Sequence, residues 1–276
     1  MKIGGDVPSL GLAHFSALSL PPGELVEMAA KAGFKRVGLR LHPAFPGGLY
    51  YDLPPQGAAA RDLLDKLDSE GITVYDIETV VIDSTFDASL LAPVLESGSA
   101  LGAKMLNVCG NDPDRGRLLA NFCALCELAT KFGMGIDLEN MGWRTLATFS
   151  DCVSLVSDAG MANATVIVDA LHFSRNGGAP THLREVPASL IYSAQLCDAG
   201  PNLPHSAEEM IHEARSNRYM PGRGTLPLTE IVLALPDHTF LSVEVPMQET
   251  ADAKVHVAQL FQTTHEVLAQ AMNAKH

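Results

Sequence analysis

Four short apolar runs in the second half of the chain end in groups that bind cations or move protons. They are Ile136-Asp137-Leu138-Glu139, Val166-Ile167-Val168-Asp169, Tyr192-Ser193-Ala194-Gln195 and Leu241-Ser242-Val243-Glu244. In an extended strand, side chains two apart share a face. Glu139 thus shares a face with Gly135 and Asp137, Asp169 with Thr165 and Ile167, Gln195 with Ser193, and Glu244 with Ser242. If the four terminal groups point to one place, their oxygens converge. Three carboxylates gathered in apolar surroundings would repel one another and be costly to desolvate. A divalent cation held by Glu139, Asp169, Gln195 and Glu244 relieves both penalties. Hard oxygen donors favour Mn²⁺ or Mg²⁺, with Co²⁺ and Zn²⁺ next in line.

Such a site supports one kind of chemistry. A metal on adjacent carbonyl and hydroxyl oxygens polarises the carbonyl and stabilises an enediolate. One carboxylate removes the α-proton and a second returns a proton elsewhere. Return to the opposite face of the same carbon is epimerisation, and return to the neighbouring carbon is isomerisation. Loss of a β-hydroxyl instead makes a dehydratase. The same parts serve all three outcomes.

The elements that must position these residues recur along the chain. Strands are predicted at Ser9–Phe15, Arg36–Leu41, Ile72–Ile77, Lys104–Cys109, Gly135–Leu138, Thr165–Val168, Leu190–Leu196 and Phe240–Val245. Helical patterns lie between them, at Pro21–Gly33, Gly57–Glu70, Ala88–Leu101, Arg115–Phe132, Leu146–Ala159, Thr181–Val186, Leu226–Leu235 and Ala253–Met272. Glycines close several of these patterns, and Pro opens the first helix. Alternating strands and helices imply a parallel sheet. Eight such units in 276 residues fit a (β/α)8 TIM barrel spanning residues 1–276 as a single domain. A doubly wound sheet would leave two units spare. Active residues of a barrel sit at the C-terminal ends of its strands, where the four runs place theirs.

Composition narrows the function further. The chain is 47% apolar and 18% charged, enough for a large core and too apolar for wholesale disorder. With 19 basic and 32 acidic residues, the net charge of −13 argues against a non-specific nucleic-acid binder or an anionic-membrane binder. The same balance, with few rim histidines, disfavours a multi-zinc DNA endonuclease. No apolar run reaches the roughly 18 residues of a spanning helix. Met1–Asp6 lacks the form of a signal peptide. Five cysteines, odd in number, read as reduced thiols in a cytoplasmic protein. Cys123-Ala124-Leu125-Cys126 lies in a predicted helix without a partner pair for zinc. No Walker, Rossmann or nucleophile-elbow motif is present.

The ordered segments Gly135-Ile136-Asp137-Leu138-Glu139-Asn140, Asp169-Ala170-Leu171-His172-Phe173, Gln195-Leu196-Cys197-Asp198, Pro221-Gly222-Arg223-Gly224 and Ser242-Val243-Glu244 resemble the sugar phosphate isomerase/epimerase family, the xylose isomerase-like TIM barrels. The resemblance implies one divalent metal on Glu139, Asp169, the strand-seven residue and Glu244. It implies that Glu139 and Glu244 are a catalytic acid/base pair, and that His172 lies beside the metal and contacts substrate. The expected activity is isomerisation or epimerisation of a sugar, sugar phosphate or polyol ketone. A lyase dehydrating a keto-acid or keto-inositol is the alternative, and an idle binding protein stands outside both. The resemblance also implies a homo-oligomer. Two departures stand out. Gln195 occupies a position where many members have His, and Arg223 one where Glu is frequent.

Other residues are candidates for the pocket by their place after predicted strands. His14 and His42 follow strands one and two, Glu78 ends strand three, and Asn107 lies in strand four. Trp143, the only Trp, could wall the pocket against a ring or carbon chain. Arg175, Arg215, Arg218 and Arg223 lie in the loops after strands six and seven. Loops there commonly bind phosphate or carboxylate, which singles out Arg175 and Arg223 as substrate contacts.

Overall fold

The computed structural model describes residues 9–248 and 250–274, so Met1–Asp6 lies outside the described residues. Eight strands run in parallel: β1 (Leu10–Leu12), β2 (Arg36–Arg40), β3 (Thr73–Ile82), β4 (Met105–Gly110), β5 (Gly135–Glu139), β6 (Ala164–Asp169), β7 (Ile191–Leu196) and β8 (Phe240–Val243). Each bonds to the next and β8 pairs with β1, closing the barrel.

Helices follow the strands: α1 (Pro22–Ala32), α2 (Ala58–Glu70), α3 (Ala92–Ala100), α4 (Arg115–Lys131) and α5 (Phe149–Ala159) after the first five. After β6 come α6 (Ala170–Arg175) and α7 (Pro180–Arg184), after β7 come α8 (Ala207–Ser216) and α9 (Leu228–Ala234), and α10 (Ala253–Ala274) completes the ring. Local chemistry explains the boundaries. Pro22 opens α1, and Gly33, Gly71 and Gly160 close α1, α2 and α5 in the left-handed region. Thr148 and Asp151 form a reciprocal capping box at the start of α5.

Three expected boundaries are corrected. Strand three does not end at Ile77 but runs to Ile82, so Glu78 is inside it. Its register against β2 shifts between Val37 and Gly38, where Gly38 pairs with Asp76 and Tyr75 is the extra residue. The long loop expected after strand seven contains α8. The residues directly after Asp169 form α6, ahead of the helix expected near Thr181.

The apolar core lies between the barrel and its helices, where Phe34, Phe122, Phe173, Leu25 and Leu39 are fully buried. Tyr75 and Phe240 meet with ring centroids 4.5 Å apart, and the Arg36 guanidinium lies 4.7 Å from the Phe240 ring. Deeper in the sheet, Asp137 accepts hydrogen bonds from Thr165 Oγ1 at 2.9 Å and from Ser193 Oγ. Burial pushes the Asp137 carboxyl up to about 6, against the pull of those two hydroxyls. All five cysteines are free.

Candidate active site

The ends of β5 to β8 bring Glu139, Asp169, Gln195 and Glu244 to one rim, all buried. Arg218, two residues beyond α8, reaches in among them. Its Nη1 donates to Asp169 Oδ2 at 2.5 Å, and its Nη2 lies 3.2 Å from Glu244 Oε2. Its Nε donates to Ala214 O at 2.8 Å, which ties the guanidinium to the helix. Gln195 Nε2 donates to Glu244 Oε1 at 3.1 Å, while Gln195 Oε1 is buried without a partner. Asp169 also caps α6, its Oδ1 accepting from the His172 backbone N–H at 2.9 Å. His172 Nε2 lies 3.9 Å from Glu139 Oε1 and 3.4 Å from Arg218 Nη2. Asn107 hydrogen-bonds Glu139 and accepts from Thr79 Oγ1 at 2.9 Å.

These contacts set the protonation tendencies. Burial pushes Glu139 well above the usual carboxylate range, and the charges of Asp169 and Glu244 push the same way. Burial raises Glu244 to about 7 despite the opposing Arg218 charge. Burial acts on Asp169 too, but Arg218 and His172 together hold it below its ordinary value. Burial lowers His172 to about 4, so its ring is neutral at neutral pH and one nitrogen carries a lone pair.

The donor set fits a hard divalent cation. Glu139, Asp169 and His172 each offer an atom within 4.8 Å of the others. The orphaned Gln195 Oε1 is an oxygen donor with no competing bond. Glu244 lies outside that trio and is tied to it by Arg218, which pairs with both Asp169 and Glu244, and by its own bond from Gln195.

The other expected contacts separate into two groups. Glu78, Trp143 and His172 line a cavity of about 290 Å³ above the four rim groups, with Glu139 and Glu244 in its lining. Trp143 stands edge-on to His172, ring centroids 5.2 Å apart. His42, Arg175 and Arg223 do not line it. His42 is half-buried, and burial lowers its pKa. Arg175 is spent on Glu213 at 2.6 Å and Gly200 O at 2.7 Å. Arg223 points away to pair with Glu266 at 2.7 Å, with more than half of its side chain exposed. His14 is a framework residue, its Nδ1 accepting from Arg40 N–H at 3.0 Å.

The loop bearing Arg223 has a structural task. Asp198 accepts from the backbone N–H groups of Ala199, Gly224 and Leu226, each at 2.9 Å. A Cβ on Gly224 would lie 2.3 Å from Ala199 O and 2.4 Å from Asp198 Oδ1, so only glycine lets this backbone approach. Arg40 and Arg144 are cavity residues that the strand-end pattern misses. Arg40 sits at the end of β2, a place that carries a signal. Arg144 sits in the loop after β5, where no periodicity marks it.

A closed parallel barrel with a buried acidic cluster at the C-terminal ends of its strands defines a TIM barrel with its polar site at that rim. The chain belongs to the xylose isomerase-like TIM barrel family, whose description it matches over residues 26–270. It is 29% identical over 134 residues to a 3-dehydroshikimate dehydratase of Pseudomonas putida, covering 46% of this chain and 20% of that protein. It thus spans about a fifth of the length of the curated relatives it matches. A fusion protein of a xylose isomerase-like TIM barrel with 4-hydroxyphenylpyruvate dioxygenase superposes with a TM-score of 0.80 at 21% identity, over 95% of this chain and 43% of that one. The IOLI protein with a bound zinc atom gives 0.79 at 18% identity, over 95% and 99%. D-psicose 3-epimerase gives 0.67 at 18% identity, over 95% and 98%. At these identities the superpositions establish the fold.

Proposed function

We propose that this chain is a metal-dependent enzyme that moves a proton next to the carbonyl of a small polyhydroxy compound, as an isomerase or epimerase. The observation that carries this reading is the burial of Glu139, Asp169, Gln195 and Glu244 at one rim, with Arg218 pairing Asp169 to Glu244, Gln195 bonded to Glu244, and His172 between Asp169 and Glu139. These four, with His172 beside them, are the residues that would hold the cation. A bound divalent ion would polarise the carbonyl and lower the cost of the negative charge left by proton removal.

The remaining work falls to the chain's own groups. Glu139 and Glu244 end strands three apart around the barrel and so address a substrate between them from two directions. One carboxylate accepts the α-proton and the other returns a proton to carbon. Arg218 holds Asp169 Oδ2 and Glu244 Oε2 in place, so neither carboxylate needs to reorganise. Trp143 and His172 pack together along one side of the cavity and keep water from the reacting carbon.

A lyase reading has its own support. Much of the cavity wall is apolar, with Phe15, Leu18, Phe45 and Leu49 along it. Each buried sugar hydroxyl needs a partner, so such a wall suits a compact keto-acid with few hydroxyls better than an open sugar chain. The matched stretch of curated relatives named as dehydratases agrees with this.

The test begins with metal-stripped protein, which regains activity with Mn²⁺ or Mg²⁺ on a panel of ketoses, ketose phosphates and cyclic polyol ketones. NMR in D₂O then reads the outcome. Deuterium entering substrate without loss of water marks an isomerase or epimerase, and an unsaturated product marks a lyase. Glu139→Gln and Glu244→Gln are each expected to lower turnover by about 10²-fold or more with the fold intact, and wild-type rates in either variant refute the acid/base pair.

A further inference from the structure

Four arginines line the cavity, and they are not equivalent. Arg40 is paired with Glu78 at 3.1 Å, and Arg218 with Asp169 at 2.5 Å and Glu244 at 3.2 Å. Their charges are neutralised within the protein. The guanidinium groups of Arg144 and Arg215 have no hydrogen-bond or carboxylate partner among the described residues. Arg144 Nε is buried without any partner, which is costly for a charged group. Arg215 lies over the Phe45 ring at 4.9 Å, and this packing holds it at the cavity mouth. The two cations repel each other, and burial and the Arg144 charge both favour the uncharged form of Arg215. Two neighbouring cations that line one cavity without a carboxylate between them leave donors free for an incoming anion.

We propose that Arg144 and Arg215 form a carboxylate-binding subsite at the mouth of the cavity, so that the substrate is a compact hydroxy-carbonyl compound carrying one carboxylate at the end remote from the rim acids. The proposal rests on the catalytic reading above for which end of the substrate reacts. Two planar guanidinium groups match a carboxylate, each offering paired N–H donors. Phe45, Leu49 and Trp143 wall the space between mouth and floor, and a carbon ring or short chain would cover them. The volume of about 290 Å³ suits a small ligand of this kind. A phosphate at a barrel rim is commonly gripped by a helix start after strand seven or eight. Here the segments after β7 and β8 bring Ala214, Arg215, Arg218 and Glu244 to the cavity and, among the described residues, no helix start. The chemistry therefore favours a carboxylate over a phosphate ester.

Calorimetry on the full chain, with and without Mn²⁺, tests this with three probes on one hydroxylated cyclohexane scaffold: the carboxylate, its neutral primary carboxamide and the corresponding phosphate monoester. The carboxylate is expected to bind about tenfold or more tightly than the carboxamide, the scale of a lost charge-assisted hydrogen bond. Arg144→Gln and Arg215→Gln each reduce that preference, and the double variant brings the carboxylate to the level of the carboxamide. Both side chains are at least partly exposed, and unchanged melting curves confirm that the variants fold. Equal binding of acid and amide to the wild type, no binding of the carboxylate at millimolar concentration, a preference that survives in the double variant, or tighter binding of the phosphate monoester overturns the proposal. A retained carboxylate preference without deuterium exchange on any substrate leaves this subsite standing and removes the catalytic reading instead.

Discussion

Glu78 and Glu139 are both buried glutamates lining the same cavity, one on β3 and one at the end of β5, yet they are used differently. Both Glu78 oxygens are committed. Oε1 accepts from the His14 backbone N–H at 2.6 Å, and Oε2 accepts from Phe15 N–H and from Arg40 Nη2, each at 3.1 Å. This carboxylate clasps the turn after β1 to β2 and β3, with three of its roughly four acceptor sites filled. Glu139 has Asn107 as a hydrogen-bonding neighbour, with His172 at 3.9 Å, and is held far from its ordinary pKa by burial. The lesson is that residue type and rim position do not separate scaffold from chemistry. The use already made of each oxygen does.

The comparison breaks most sharply under matched substitutions. Glu139→Gln is expected to lower turnover by about 10²–10⁴-fold, read by steady-state kinetics, while leaving the metal-free melting temperature equal or higher. Glu78→Gln is expected to do the reverse. It removes one partner of a buried pair and costs about 3 kcal/mol in denaturant unfolding, while one metal ion per chain is retained. If the two variants behaved alike, the distinction would fail.

A weaker effect concerns pH. For a carboxyl whose folded pKa is raised, the folded state holds the proton more tightly than the unfolded chain. Stability is then full below the unfolded pKa and falls as pH rises through the folded one. Glu244, shifted from 4.5 to about 7, and Asp137, from 3.8 to about 6, both predict that metal-free protein loses stability between about pH 4 and pH 7. Asp137→Asn should flatten the lower part of that slope in urea melts at a series of pH values. If Glu139, Asp169 and Glu244 hold the cation as proposed, added Mn²⁺ should stabilise more at pH 8 than at pH 6, because those carboxyls must shed their protons. The smallest effect belongs to Arg223→Ala. Its exposed pair with Glu266 should be worth no more than about 0.5 kcal/mol in thermal melts, with turnover unchanged.

Much of this was legible in the sequence. The strand–helix alternation led to the closed barrel, and the strand-end acids led to the rim they occupy. What escaped had physical causes. Glu78 and Thr79 interrupt the apolar run of β3, so the strand reads as ending five residues early. A second register shift, against β4 between Ile77 and Val80, falls at that interruption, and no local rule announces it. The helix α8 opens in a stretch rich in Pro and polar residues, which hid it. A signal was present, because Ser206 Oγ accepts from Glu209 N–H and Glu209 reaches back to the His205 N–H. With α8 unread, nothing could place Arg218 between Asp169 and Glu244. Arg175 and Arg223 looked equal to Arg215 by loop position. Only the fold reveals that Glu213 and Glu266 already hold them.

The short antiparallel bridge between Asp198 and Tyr219 bears on how such a barrel can diversify. Asp198 N–H donates to Tyr219 O at 2.8 Å, and Tyr219 N–H donates to Asp198 O at 2.7 Å. Everything from residue 199 to residue 218 is thereby an excursion whose two ends are stapled at a fixed spacing. Such a segment can lengthen, shorten or be exchanged with little added entropy cost and no strain on the staves beneath it. Because that excursion carries Arg215 and Arg218, its exchange would change both the cavity lining and the pairing of Asp169 and Glu244 at the rim, while the strand ladders below keep their register.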